Sequence, residues 1–93
     1  MSDTLEALWQ VIEERKHTLP AGSYTARLLT KGERAIAKKV GEEAIEVIVA
    51  LQEGNERLIS EAADLIYHLL VLLAARDLRW ADVETELQRR LKP

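Results

Sequence analysis

Glu43-Ala44-Ile45-Glu46-Val47-Ile48-Val49-Ala50-Leu51-Gln52-Glu53-Gly54-Asn55-Glu56-Arg57-Leu58-Ile59-Ser60-Glu61-Ala62-Ala63-Asp64 is the stretch that decides the fold. It holds two acidic pairs, Glu43 with Glu46 and Glu61 with Asp64, inside runs that otherwise read as buried helix. The i, i+3 spacing points both carboxylates of a pair from one helix face. Gln52-Glu53-Gly54-Asn55 between them is a turn signal, so the two segments are expected to fold back as an antiparallel helix hairpin. Counting outward from that turn puts Glu46 level with Glu61 and Glu43 level with Asp64, four carboxylates in two facing layers. Like charges about 4 Å apart repel by roughly 4 kcal/mol at an effective dielectric near 20. Such a cluster needs cations, and several converging oxygens suit a hard divalent ion, above all Mg²⁺.

Around this centre the chain reads as all-α. No alternating β-branched or aromatic run is present, and Pro and Gly fall between helical periods. Helices are expected over residues 4–17, with Ser2, Asp3 or Thr4 as cap, and over 24–30, capped by Ser23 and closed by Lys31-Gly32. Two long helices follow at 33–53 and 56–76, the second capped by Asn55, then a last one at 81–91. The first helix should bury Leu5, Leu8, Trp9 and Ile12. In the third, Ile36, Val40, Ala44, Val47 and Leu51 form a core stripe, while Ile45, Ile48 and Val49 form a second apolar face. The fourth carries one narrow polar stripe, Arg57, Glu61, Asp64 and His68, and is apolar elsewhere, which predicts a central helix.

At 93 residues and 47% apolar, the chain is one small domain, 1–93, with more apolar surface than a single small core hides. A homodimeric helical bundle is the expected architecture. The absence of cysteine excludes disulfides and thiolate metal sites. With 13 basic and 16 acidic residues well mixed, nonspecific nucleic-acid binding is disfavoured. Met1-Ser2-Asp3-Thr4 lacks a signal-peptide start, and the apolar run at 69–75 is too short to span a bilayer, so a soluble cytoplasmic protein without a membrane partner is expected.

Each candidate residue has a bland counterpart. The four acids could instead form ion pairs with Lys38, Lys39, Arg57 or a partner subunit. Glu42, beside Glu46, is a further ligand, a general base or a solvated neighbour. Lys39, one turn before Glu43, contacts a phosphate or neutralises the acids. His68, one turn after Asp64, orients a ligand carboxylate, contacts substrate or is a hydrogen-bonded core histidine. Ser23-Tyr24-Thr25 offers hydroxyls and N–H groups at a helix start, a phosphate cradle with Arg27 and Lys31 nearby, or merely a cap. Trp9 and Trp80 read as packing residues. A di-iron carboxylate bundle is disfavoured, because neither pair is followed by Glu-x-x-His.

The run Ser23-Tyr24-Thr25-Ala26-Arg27-Leu28-Leu29, then Lys31-Gly32, then Lys39-Val40-Gly41-Glu42-Glu43-Ala44-Ile45-Glu46, then Glu61-Ala62-Ala63-Asp64-Leu65-Ile66-Tyr67-His68-Leu69-Leu70-Val71-Leu72-Leu73 strongly resembles the phosphoribosyl-ATP pyrophosphohydrolases of histidine biosynthesis. These belong to the all-α, MazG-like nucleotide pyrophosphohydrolases, whose Glu-x-x-Glu and Glu-x-x-Asp signature falls on Glu43, Glu46, Glu61 and Asp64. The four acids identify only that superfamily; the Ser-Tyr-Thr and Lys-Val-Gly-Glu-Glu-Ala runs point to the histidine-pathway member. The resemblance implies Mg²⁺-dependent hydrolysis of phosphoribosyl-ATP to phosphoribosyl-AMP and pyrophosphate. It implies metal held by Glu43, Glu46, Glu61 and Asp64, phosphates oriented by Lys31, Lys39 and the Ser23-Tyr24-Thr25 segment, and water positioned by Glu42. It also implies a functional link to phosphoribosyl-AMP cyclohydrolase. In one departure, Ala35 with Arg34 beside it stands where the family often has lysine. A housekeeping nucleotide pyrophosphohydrolase and a non-catalytic helical assembly module are the alternative functions.

Overall fold

The computed structural model describes residues 3–92, and among them there are five helices and no strand. Helix α1 (Asp3–Thr18) has Asp3 and Glu6 in its first turn and Arg15, Lys16 and His17 in its last, which complements the helix dipole. Asp3 and Thr4 lie within α1 rather than capping it, and Ser2 lies outside the described residues. Leu19, at φ 45°, ends the helix just before Pro20, which cannot supply the next N–H. Ser23 then starts α2 (Tyr24–Lys31) as expected, its Oγ accepting from the Ala26 N–H at 3.1 Å.

Gly32 closes α2 and opens α3 (Glu33–Ala50). The expected end of this helix, Glu53, is three residues late. Leu51, Gln52 and Glu53 bond back to Ile48, Val49 and Ala50, the tight i to i−3 pattern that finishes a helix in a turn. Helix α4 (Asn55–Ala75) starts from Gly54 at φ 106°, and no side chain caps it, so Asn55 is a helical residue and not the cap. At its far end Asp77, at φ 60°, donates to Ala74 O and Leu78 N–H reaches Leu73 O. This is the paired 6→1 and 5→2 closure usually built on glycine. Lys16 reinforces it by donating to Ala74 O at 2.7 Å and to the Asp77 carboxylate. The last helix, α5 (Trp80–Arg90), begins with the Arg79 N–H held by Asp82 at 2.9 Å.

The core gathers where α1, α2, the start of α3 and the second half of α4 meet: Trp9, Ile12, Leu28, Ile36, Leu70, Val71 and Ala74. Leu5 and Leu8 pack against it, partly buried. Helices α3 and α4 share the most extensive packing in the chain. Toward the turn that joins them, both helices are largely exposed. Leu51, expected in the core stripe, is 68% exposed, and Ala50 is buried in its place. Helix α4 gives the core one face of its last turns, Leu70, Val71 and Ala74, while Ile59, Ile66 and Leu69 are exposed, so it is not central along its whole length as expected. It is long and apolar enough to cross a bilayer, yet it buries Glu61 and His68 within the fold and supplies much of the core, which is the pattern of a core helix.

Candidate active site

The acidic residues meet where α3 and α4 leave the core. Glu43 from α3 and Glu61 and Asp64 from α4 each bring a carboxylate oxygen within 4.8 Å of the others. Glu43 and Glu61 are buried and Asp64 is exposed, so the cluster has an inner floor and one open side. At that separation each pair of full charges costs roughly 3–4 kcal/mol at an effective dielectric near 20. Two cations offset part of this. Lys39 Nζ lies 3.2 Å from Glu43 Oε1 and 3.8 Å from Glu42 Oε1, and Arg57 Nη2 lies 3.0 Å from Glu61 Oε1. The hydrogen bond to Glu43 holds the Lys39 ammonium above the usual lysine range against its partial burial. Among the described residues no cation lies in ion-pair range of Asp64. Glu46 stands outside the trio, exposed and in the field of Arg57. The donor set, three convergent carboxylates with one unmatched by a cation, fits a hard divalent ion.

Next to the trio, the start of α2 is fastened to α4 by consecutive residues. The buried ring of His68 is held at both nitrogens, Nδ1 by Asp64 O at 2.7 Å and Nε2 by Tyr24 Oη at 2.9 Å. A carbonyl only accepts, so Nδ1 carries the proton and the Tyr24 hydroxyl donates to Nε2. Thr25 and Tyr67, one residue along on each helix, hydrogen-bond through their hydroxyls. Burial pushes the Tyr67 phenol above its usual range, opposed by that bond. The two tyrosine rings stack at 6.2 Å, and the Arg27 guanidinium lies 5.8 Å from the centre of the Tyr24 ring. Outside this clasp a cleft is lined by Tyr24, Lys31, Lys38, Lys39 and Glu42, over Leu28 and Ala35.

The sequence profile of the family described as Phosphoribosyl-ATP pyrophosphohydrolase matches residues 5–91. The chain belongs to the phosphoribosyl-ATP pyrophosphohydrolase family. Similar relatives carry the name phosphoribosyl-ATP pyrophosphatase. The protein from Metallosphaera sedula is 56% identical over 93 residues, covering 99% of this chain and all of its own length. That from Pyrobaculum calidifontis is 57% identical over 89 residues, covering 95% of each chain. That from Ignicoccus hospitalis is 53% identical over 91 residues, covering 97% of this chain and 89% of its own.

In this member of the phosphoribosyl-ATP pyrophosphohydrolase family, the residues singled out in the sequence fall into three groups. Glu43, Glu61 and Asp64 converge, with Lys39 and Glu42 at their edge. Tyr24, Lys31 and Lys39 share the adjoining cleft, and Arg27 touches its tyrosine wall. Ser23, Thr25 and His68 are engaged inside the fold: Ser23 caps α2, Thr25 is tied to Tyr67, and both His68 nitrogens are taken. Tyr67 acquires significance only here; of the ion pairs the sequence offered for the acids, Lys39 with Glu43 and Arg57 with Glu61 form, whereas Lys38 lines the cleft instead. Tyr67 neighbours His68 in sequence, but nothing local marks it as the partner of Thr25.

Proposed function

We propose that this chain hydrolyses phosphoribosyl-ATP at the α–β anhydride bond, giving phosphoribosyl-AMP and pyrophosphate in the second step of histidine biosynthesis. The observation that carries the reading is the convergence of Glu43, Glu61 and Asp64 beside a lysine-lined cleft, in a member of this family. Glu43, Glu61 and Asp64 would hold Mg²⁺, with Glu46 completing the set from its exposed position on the same helix as Glu43. When bound, Mg²⁺ supplies charge neutralisation on the phosphates and a more acidic water. Lys39, already paired to Glu43 and Glu42, is placed to donate a charge-assisted hydrogen bond to an incoming phosphate. Arg57 offsets Glu61 and keeps the floor of the cluster from repelling a polyanion. Glu42 is exposed next to Lys39 and is the candidate to take the proton of the attacking water. His68 serves by position: it fixes the Tyr24 hydroxyl against the turn that carries Asp64.

In this reading residues 1–93 form one soluble cytoplasmic domain whose α3 and α4 make a central antiparallel hairpin. The hairpin pairs with that of a second copy through the exposed Ile45, Ile48 and Val49 of α3 and Ile59, Ile66 and Leu69 of α4. The product is the substrate of phosphoribosyl-AMP cyclohydrolase, the functional partner in the pathway. The deciding experiment supplies phosphoribosyl-ATP and a panel of nucleoside triphosphates with Mg²⁺, then with EDTA, and analyses the anion released. Pyrophosphate from phosphoribosyl-ATP alone, abolished by EDTA, is expected. Comparable turnover across the panel would favour a housekeeping enzyme, and no metal-dependent turnover would favour an assembly module.

A further inference from the structure

The substrate in this reading has two separate anionic ends, a triphosphate and the 5-phosphate of its added ribosyl group, and the cluster of carboxylates accounts for only the first. The geometry points to the cleft between α2 and α3 as the subsite for the second, the ribosyl phosphate, with Lys31 and Lys38 as its ligands and Tyr24 as its fixed wall. This inference rests on the proposed activity and adds where specificity within it arises.

Three observations carry it. The cleft holds about 410 Å³, within the roughly 300–1,000 Å³ typical of small-ligand sites. Its lysines are unequal: Lys39 is committed to Glu43 and Glu42, whereas among the described residues neither Lys31 nor Lys38 has a carboxylate within ion-pair distance. Two ammonium groups sharing one concavity repel each other, and a phosphate monoester resolves that repulsion. Lys39 is also the common wall of cleft and cluster, so an anion in the cleft lies one side chain away from Glu43. Finally the wall is built rather than incidental. The Tyr24 hydroxyl is fixed at 2.9 Å by a histidine that is only 4% exposed, and that histidine is itself fixed by the backbone of Asp64. The clasp therefore sets the spacing between the phosphate-binding cleft and the carboxylates, as a substrate with two anionic ends requires.

The test measures binding of two nucleotides that differ only in the ribosyl phosphate group, phosphoribosyl-AMP and AMP, by calorimetry of the full chain with Mg²⁺ present. The parent should bind phosphoribosyl-AMP about tenfold or more tightly than AMP, the margin of a charge-assisted phosphate contact. Lys38→Ala should narrow that margin and Lys31→Ala combined with Lys38→Ala should close it, the loss falling on phosphoribosyl-AMP, while Lys38→Arg keeps it. Both lysines are exposed, so the variants should fold as the parent does, which circular dichroism checks. A double variant that keeps the parental margin overturns the subsite. So does a parent that hydrolyses phosphoribosyl-ATP yet binds the two nucleotides equally. A parent that neither hydrolyses phosphoribosyl-ATP nor binds its product overturns the functional reading beneath the subsite as well.

Discussion

At the scale of single residues, charge and hydrogen-bond valence distinguish roles that spacing leaves equal. Glu61 and Asp64 sit on one face of α4, but Glu61 is buried against Arg57 while Asp64 is exposed without a cation in range. Replacing either by its amide removes a repelling charge and leaves no cavity, so Glu61→Gln and Asp64→Asn should fold normally and lose most turnover. The parent should also gain thermal stability from Mg²⁺, about 2.7 kcal/mol at a hundredfold excess over Kd, and the variants much less. Near-parental turnover in either variant contradicts the metal assignment. His68 offers a second test. His68→Ala leaves the Tyr24 hydroxyl without its partner and a void where the buried ring was, a cost of about 2–4 kcal/mol. Urea unfolding should register it. In a variant that still folds, such as His68→Gln, kcat should fall with Mg²⁺ affinity retained, because the ring positions Tyr24 and binds no metal. A loss of Mg²⁺ affinity instead would assign His68 to the metal site.

At the scale of elements, glycine marks where the chain must bend and where it merely happens to be small. Gly54 has φ 106° and ψ 169°, a region reserved almost entirely for glycine, and a Cβ built there meets nothing within 4 Å. Gly54→Ala should therefore lose about 1–3 kcal/mol from backbone strain alone, with no steric part. Gly41 lies inside α3, and a Cβ there also meets nothing within 4 Å. Gly41→Ala should accordingly gain about 0.5–1 kcal/mol by lowering the entropy of the unfolded chain. Chemical denaturation of both variants checks the pair of opposite signs. Destabilisation by Gly41→Ala would mean that a second surface covers this turn of α3.

At the scale of the whole molecule, apolar area is the governing quantity. Ile45, Ile48 and Ile59 are 60%, 65% and 70% exposed, and all three lie on the two helices that carry the acids. Large apolar side chains left exposed in this way are what obligate homodimers hide, in interfaces of roughly 2,000 Å² or more. Light scattering should find a dimer at micromolar concentration, and Ile48→Glu, which forces a charge into that surface, should unfold or aggregate. A stable parental monomer would refute the dimer.

Five helices, the breaks between them and two acidic pairs each on one helix face were legible in the sequence, because helical period, glycine and proline geometry and i, i+3 spacing are local properties; the expected layers, Glu46 with Glu61 and Glu43 with Asp64, differ from the trio of Glu43, Glu61 and Asp64 that forms. The sequence by itself also determined family membership, through runs that local chemistry alone would have left as a cap and a charged stripe. It misjudged ends such as Glu53 and Asn55, where a tight turn and Gly54 override propensity, and it left the role of His68 open. Tertiary packing was needed to show that Glu46 stands apart and that Thr25 is spent on Tyr67 and His68 on Tyr24. Those contacts join residues up to 44 positions apart, and which of two hydroxyls or two cations fills a given site depends on how α2 lies across α4. That placement is set by the shared core of Trp9, Ile12, Leu28, Ile36 and Leu70, in which apolar packing fixes where the polar groups meet.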